Sequence, residues 1–96
     1  MKRDELIRYL RRFKESNKDK YQIIRLGLFG STARDSAKEG SDIDVVVELS
    51  VPDMFLLIGI KQDLEEQLRC PVDIVRYREK INAFLKQRID QEAIYV

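Results

Sequence analysis

Histidine and tryptophan are absent from this sequence of 96 residues, and cysteine occurs only once, as Cys70. A single cysteine excludes a disulfide within the chain and is typical of proteins from a reducing compartment. Without histidine, Ser-His and Cys-His catalysis and zinc sites built on imidazole are excluded. Any catalytic chemistry must therefore rest on carboxylates, hydroxyls and bound metal ions.

Long apolar segments are also absent, as is a strong excess of charge of one sign. No segment approaches the length of a membrane span, and no apolar signal region follows the N-terminus. The 18 Lys and Arg residues and 17 Asp and Glu residues give a net charge of +1, which argues against a general nucleic-acid-binding role. We expect a cytoplasmic protein that binds neither membranes nor nucleic acid directly, with one domain over residues 1–96.

The first half of the chain is predicted to form a helix, a strand and a second, shorter helix. Apolar residues recur at helical spacing from Asp4 to about Ser16, after which a polar segment follows. A strand is expected from Tyr21 to Phe29. Ser31 is the predicted N-cap of a helix from Thr32 to about Lys38, and residues 39–41 are predicted to reverse the chain.

The second half repeats the alternation of strand and helix. A strand is expected from Asp42 to Leu49, and Asp53 is the predicted cap of a longer helix that stops before Pro71. A short strand over Val72 to Val75 precedes a last helix from Glu79 to about Asp90, and residues 93–96 form a possible edge strand. The residues expected to face the core from the last helix are Ile81, Phe84, Leu85 and Ile89. This order, α-β-α-β-α-β-α, predicts an α+β fold with a small mixed sheet and helices packed against it.

The segment that follows the first strand has the composition of an anion-binding turn. Gly30 lets the backbone leave the strand with unrestricted φ and lets a ligand approach closely. The amides of the next turn and the Ser31 hydroxyl are suited to the β- and γ-phosphates of a nucleotide. The alternative is an ordinary helix cap, because most Gly-Ser turns bind nothing.

Two carboxylates interrupt the otherwise apolar second strand. Asp42 and Asp44 are two residues apart, so their Cα atoms should lie about 6.6 Å apart on one face. That separation allows both carboxylates to converge on two metal ions about 3.5–4 Å apart. Oxygen ligands without histidine or cysteine favour Mg²⁺, with Mn²⁺ as a substitute. The alternative is an Asp-x-Asp turn or exposed strand edge with no ligand.

Two further charged residues are candidates for the same site. Asp73 is a charge inserted in the short third strand, and it can complete the metal site if that strand neighbours the second. Its alternative role is a salt bridge with Arg76 or Arg78. Arg34 follows Ser31 by three residues, which puts it within reach of a phosphate, although an exposed position without a role explains it equally well.

The segment Leu28-Phe29-Gly30-Ser31-Thr32-Ala33-Arg34, followed by Asp42-Ile43-Asp44 and by an aspartate on a later strand, resembles a known family. The pattern is similar to the nucleotidyltransferase superfamily of DNA polymerase beta and, more narrowly, to the minimal nucleotidyltransferase (MNT) family. The resemblance covers about residues 20–96. It implies two Mg²⁺ ions held by Asp42, Asp44 and Asp73 as the catalytic acids, and triphosphate contacts from Gly30 and Ser31.

Members of the MNT family are commonly antitoxins encoded beside a HEPN-domain ribonuclease toxin. The resemblance implies transfer of AMP from ATP to a tyrosine hydroxyl of that helical partner, which silences it. Two other functions stay open. One is a nucleotidyltransferase for a small hydroxyl compound of the aminoglycoside type, working as a homo-oligomer or with a helical partner subunit. The other is a non-catalytic antitoxin that acts by binding alone.

Overall fold

The computed structural model describes residues 2–34 and 42–96, which form four helices and four strands. In chain order these are α1 (Arg3–Tyr21), β1 (Ile23–Leu28), α2 (Gly30–Ala33), β2 (Ile43–Leu49), α3 (Met54–Leu68), β3 (Val72–Arg76), α4 (Ala83–Glu92) and β4 (Ile94–Tyr95). The predicted α+β fold and its order of elements are confirmed. The predicted helical turn after Arg34 and the reversal at residues 39–41 lie outside the described residues.

The four strands form one mixed sheet in the order β3-β2-β1-β4. β1 is antiparallel to both β2 and β4, whereas β2 and β3 are parallel. Parallel neighbours need a crossover connection, and α3 provides it. The condition for Asp73 to join the site, that the third strand neighbours the second, is therefore met, and the acidic residues of the two strands lie on adjacent strands.

The sheet carries a hydrophobic core on each face because its strands alternate apolar side chains between the two sides. Helices α1 and α3 cover one face, with Leu10, Ile60 and Leu64 fully buried against the sheet. Helix α4 covers the other face, where Ile89 packs with Val46. As predicted, Ile43, Val45 and Val47 of β2 join the first core, which leaves Asp44 on the face covered by α4.

Helix α1 is longer than predicted. It continues through the polar residues 17–20 and ends at Tyr21, with Gln22 in the left-handed conformation at φ 57°. The reason is tertiary packing, because the Tyr21 ring stacks on Phe13 with centroids 6.2 Å apart and is buried. The Asn17 side chain also donates to the Phe13 carbonyl at 3.0 Å. Burial of the Tyr21 ring therefore keeps the polar residues 17–20 in the helix, although their own preference for helix is weak.

Helix α4 begins later than predicted, and one of the four residues expected to face the core does not. Asn82 is its N-cap, and the side-chain oxygen accepts hydrogen bonds from the amides of Phe84 and Leu85 at 3.0 and 3.2 Å. The prediction that Phe84 faces the core is wrong, since 71% of it is exposed. Residues 79–82 form the loop before the helix. The cap fixes the start of α4 and turns the Phe84 side chain of the first turn to solvent.

Two long side chains of α1 connect distant parts of the chain. Arg3 donates to the carbonyl of Ala33 at 3.3 Å, at the end of α2, and Lys14 donates to the carbonyl of Val96 at 3.0 Å.

Within residues 2–34 and 42–96, no helix is long and apolar enough to cross a membrane.

Candidate active site

The turn between β1 and α2 is built around a glycine with a positive φ. Phe29 is extended and precedes the helix, and Gly30 is its first residue with φ +66°. A left-handed φ is costly for residues with a Cβ, so glycine is the suitable residue here. The prediction that Ser31 caps this helix is wrong. The helix starts at Gly30, two residues before the predicted start at Thr32, and Ser31 is its half-buried second residue.

Gly30 lies against the carboxylate of Asp44. A Cβ added to Gly30 would be 2.8 Å from Asp44 Oδ2, closer than such contacts occur. Because Gly30 has no side chain, the backbone of the turn can lie directly against the Asp44 carboxylate. The turn and the acidic strand that the sequence singles out therefore lie next to each other.

The backbone of Asp44 is fixed on both sides by the segment around this turn. Its amide donates to Thr32 Oγ1 at 3.2 Å, and its carbonyl accepts from the amide of Phe29 at 3.1 Å. Thr32 is a buried polar residue. Sequence reasoning missed this role, because a threonine in a short helix gives no signal of a tertiary hydrogen bond.

Asp44 and Asp73 are direct partners in the parallel register of β2 and β3. Neighbouring strands lie about 4.8 Å apart, and partners in register point to the same face. Asp44 is half-buried and Asp73 is exposed. Among the described residues, Asp73 forms no ion pair, so the alternative salt bridge with Arg76 or Arg78 is not observed.

Asp42 lies just before β2 and is exposed, so the strand begins one residue later than predicted. The charges of all three acids nevertheless interact. Burial raises the pKa of Asp44, and the nearby carboxylates of Asp73 and then Asp42 raise it further, while Arg34 and Arg88 act in the opposite direction. The three predicted acids are therefore close enough to affect one another electrostatically.

The donor set at this site suits a hard cation. Within the described part of the chain, no three Asp, Glu or Cys side chains are already arranged to hold a metal ion. The pair Asp44 and Asp73 nevertheless offers carboxylate oxygens of the kind that Mg²⁺ prefers. Adjacent like charges are unfavourable, and a bound cation would offset their repulsion. The coordination of two ions by all three acids stays a prediction.

Arg34 lies at the C-terminal end of α2, where its Nη1 is 3.2 Å from Glu92 Oε1. Arg88, one turn earlier on α4, is 3.6 Å from Glu92 Oε2. The predicted nucleotide-binding arginine is therefore held by a carboxylate of α4. Arg88 and Glu92 were missed from the sequence, because a charged pair at this spacing on an exposed helix is usually a surface feature.

Comparison with known proteins agrees with this geometry. Residues 10–96 match the family model described as "Nucleotidyltransferase domain". A Methanocaldococcus jannaschii protein named "Putative protein adenylyltransferase MJ1217" is 33% identical over 93 residues, which cover 96% of this chain and 95% of that protein.

Two solved structures share the fold. One, described as a "putative minimal nucleotidyltransferase", superposes with a TM-score of 0.80 at 30% identity and covers 98% of this chain and 95% of its own. The other is a complex of the tri-AMPylated Shewanella oneidensis HEPN toxin with MNT antitoxin, with a TM-score of 0.58 at 22% identity over 88% of this chain and 69% of that one. The present chain belongs to the nucleotidyltransferase domain family and is an enzyme of that class.

Proposed function

We propose that this protein is an antitoxin that transfers AMP from ATP to a tyrosine hydroxyl of a HEPN-domain ribonuclease toxin. Asp42, Asp44 and Asp73 would hold Mg²⁺, which neutralises charge on the phosphates. The amides after Gly30, the Ser31 hydroxyl and Arg34 would hold the leaving pyrophosphate. The tyrosine oxygen attacks the α-phosphorus in line while its proton passes to Asp73 or to water. The bond from that phosphorus to the oxygen that bridges it to the β-phosphorus breaks, and pyrophosphate leaves.

The observation that carries this proposal is the pairing of Asp44 with Asp73 beside the Gly30 turn. The paired strands hold two carboxylates side by side, and the turn approaches one of them without an intervening side chain. This arrangement combines a site for a cation with backbone amides that suit phosphate oxygens. Structural stability alone does not favour two adjacent carboxylates, since like charges in register are destabilising.

The names of similar proteins support the acceptor and the nucleotide. The M. jannaschii relative is named a protein adenylyltransferase, and the S. oneidensis complex contains an AMPylated HEPN toxin with its MNT antitoxin. The tyrosine acceptor and the requirement for Mg²⁺ are parts of the proposal.

The decisive experiment mixes the purified protein with the product of the adjacent gene, Mg²⁺ and ATP. Intact mass spectrometry should show the addition of AMP to that partner and loss of its ribonuclease activity. The variant carrying Asp42→Asn and Asp44→Asn should fold and should add no AMP. Glu66→Gln, which removes an exposed acid of α3 away from the site, is the matched control and should remain active.

Two outcomes would contradict the proposal. Labelled AMP added by the double variant would exclude the role of the acids. Full neutralisation of the toxin by that variant would instead show an antitoxin that acts by binding. A parallel screen against small hydroxyl acceptors, aminoglycosides included, tests the remaining alternative.

A further inference from the structure

Three charged side chains form a cluster where α2 meets α4. Glu92 lies between two guanidinium groups, at 3.2 Å from Arg34 Nη1 through Oε1 and at 3.6 Å from Arg88 Nη2 through Oε2. One carboxylate against two guanidinium groups leaves the cluster with a net positive charge. The cluster is therefore more than a neutral ion pair that joins two helices.

The two arginines remain accessible although they contact Glu92. Their side chains are 50% and 44% exposed for Arg34 and Arg88, whereas that of Glu92 is 27% exposed. Glu92 Oε2 is buried and makes no hydrogen bond with any described group, so its contact with Arg88 is an ion pair of moderate distance. A guanidinium held this loosely keeps donors free for a second anion.

The cluster lies on the same side of the sheet as Asp44 of the acidic site. Helix α4 covers the same face of the sheet as Asp44, and its Ile89, which follows Arg88, packs in the core with Phe29. The positive charges of Arg34 and Arg88 both lower the pKa of Asp44 against the effects of burial and the other acids. A nucleotide whose reactive phosphate lies at Asp44 would therefore have its remaining phosphates within reach of this positive cluster.

We propose that Arg88 is a second cationic contact for the β- and γ-phosphates, paired with Arg34, and that Glu92 occupies both guanidinium groups until the phosphates take its place. The inference rests on the proposed use of a nucleoside triphosphate. Guanidinium groups bind phosphate oxygens through two parallel hydrogen bonds, which fixes direction as well as charge. Glu92 neutralises part of the arginine charge in the free protein and competes with the ligand for the same donors.

The test measures equilibrium binding of ATP and of AMP in the presence of Mg²⁺, without acceptor. Arg88→Ala should weaken ATP binding by about tenfold or more, as expected for the loss of one charge-assisted contact. AMP, which lacks the distal phosphates, should bind almost unchanged. Arg88→Lys should recover part of the affinity, and Lys86→Ala, which removes a cation from the same helix, should have no effect.

Glu92→Gln separates this inference from a purely structural role of the cluster. Under the proposal, loss of the competing carboxylate strengthens ATP binding or leaves it unchanged, which is the opposite of the effect of Arg88→Ala. If the cluster only joins α2 to α4, both variants should lower stability and weaken ATP and AMP binding alike, and the inference is wrong.

Because binding is measured without turnover, failure of this inference differs from failure of the proposed function. Equal affinity of the wild-type and Arg88→Ala proteins for ATP would overturn the role of Arg88 even if AMP transfer is observed. An absence of AMP transfer by the wild-type protein would contradict the proposed reaction even if Arg88 governs ATP affinity.

Discussion

Thr32 Oγ1 accepts a hydrogen bond from the backbone amide of Asp44 at 3.2 Å, and this contact joins the turn after β1 to the acidic strand. The bond connects residues 12 positions apart and involves a buried hydroxyl. It fixes the strand position of the carboxylate without contacting the carboxylate itself.

Replacement of Thr32 by valine tests this relationship. Thr32→Val keeps the shape of the side chain but leaves the amide of Asp44 unpaired, so the free energy of unfolding should fall by about 1–3 kcal/mol. AMP transfer should also fall, because the carboxylate is less well fixed. Thr32→Ser retains the hydroxyl and should retain most of the activity. Denaturant unfolding and transfer assays on the three proteins provide the measurement, and equal behaviour of the valine and serine variants would contradict it.

Gly30→Ala should be harmful for two separate reasons. The φ of +66° disfavours any residue with a Cβ by about 1–2 kcal/mol, and the added methyl group would collide with Asp44 Oδ2. We expect lower stability and a loss of transfer that is larger than the loss of stability explains. Ala33→Gly, three residues further along the same helix, is the control for a general weakening of α2. Wild-type transfer by Gly30→Ala would show that the close approach is not needed.

Removal of one carboxylate from the pair should stabilise the protein while it abolishes transfer. Like charges in register are unfavourable by about 0.2–1 kcal/mol, so Asp73→Asn should raise the free energy of unfolding by that order in the presence of EDTA. The control Glu66→Gln should change it little. A lower stability of Asp73→Asn would show that the carboxylate makes a favourable contact within the fold, contrary to the exposed and unpaired position described above.

The contact between Tyr21 and Asp63 predicts a specific sensitivity to alkaline pH. The Tyr21 hydroxyl donates to Asp63 Oδ2, and burial together with this hydrogen bond raises the pKa of Tyr21 to about 12. Lys20 Nζ is also near, at 4.0 Å from the same oxygen. Since the unfolded tyrosine ionises near pH 10, the unfolded chain binds fewer protons between pH 10 and 12, and stability falls as the pH rises through this range.

Tyr21→Phe is the measurement that isolates this contribution. The variant should be less stable than the wild-type protein at neutral pH, and the difference should shrink between pH 10 and 12. Asp63→Asn keeps the size of the acceptor but removes its charge, so it should reduce the same pH dependence. A stability difference for Tyr21→Phe that does not vary with pH would contradict the role of the hydroxyl.

Much of the fold could be predicted from the sequence because hydrophobic periodicity reports which face of each element is buried. The errors occurred where a single tertiary contact or cap decided the outcome. Tyr21 extends α1 because it stacks on Phe13 two turns away. That spacing is visible in the sequence, but the seven residues between the two rings are all polar. The late start of α4 had a local signal, the N-cap Asn82. The prediction began the helix four residues too early, at Glu79, and wrongly placed Phe84 toward the core.

The acidic residues of the candidate site could be singled out from the sequence because a charge within an apolar strand is unusual. Their register could not, since the pairing of Asp44 with Asp73 depends on how the α3 crossover closes. The position of Arg88 near this face could not be predicted for a similar reason. Its separation from Asp44 along the chain does not indicate that α4 covers the acidic face.

The parallel pairing of β2 and β3 has a further consequence for how cations can be detected. The two aspartates become neighbours only after the crossover has closed, so the denatured ensemble holds no equivalent site. A divalent ion bound between them would bind the native state alone, and thermodynamic linkage would raise the melting temperature with ion concentration. Calorimetric melting at increasing concentrations of Mg²⁺ or Mn²⁺ would therefore measure ion binding to Asp44 and Asp73, and it requires neither acceptor nor nucleotide.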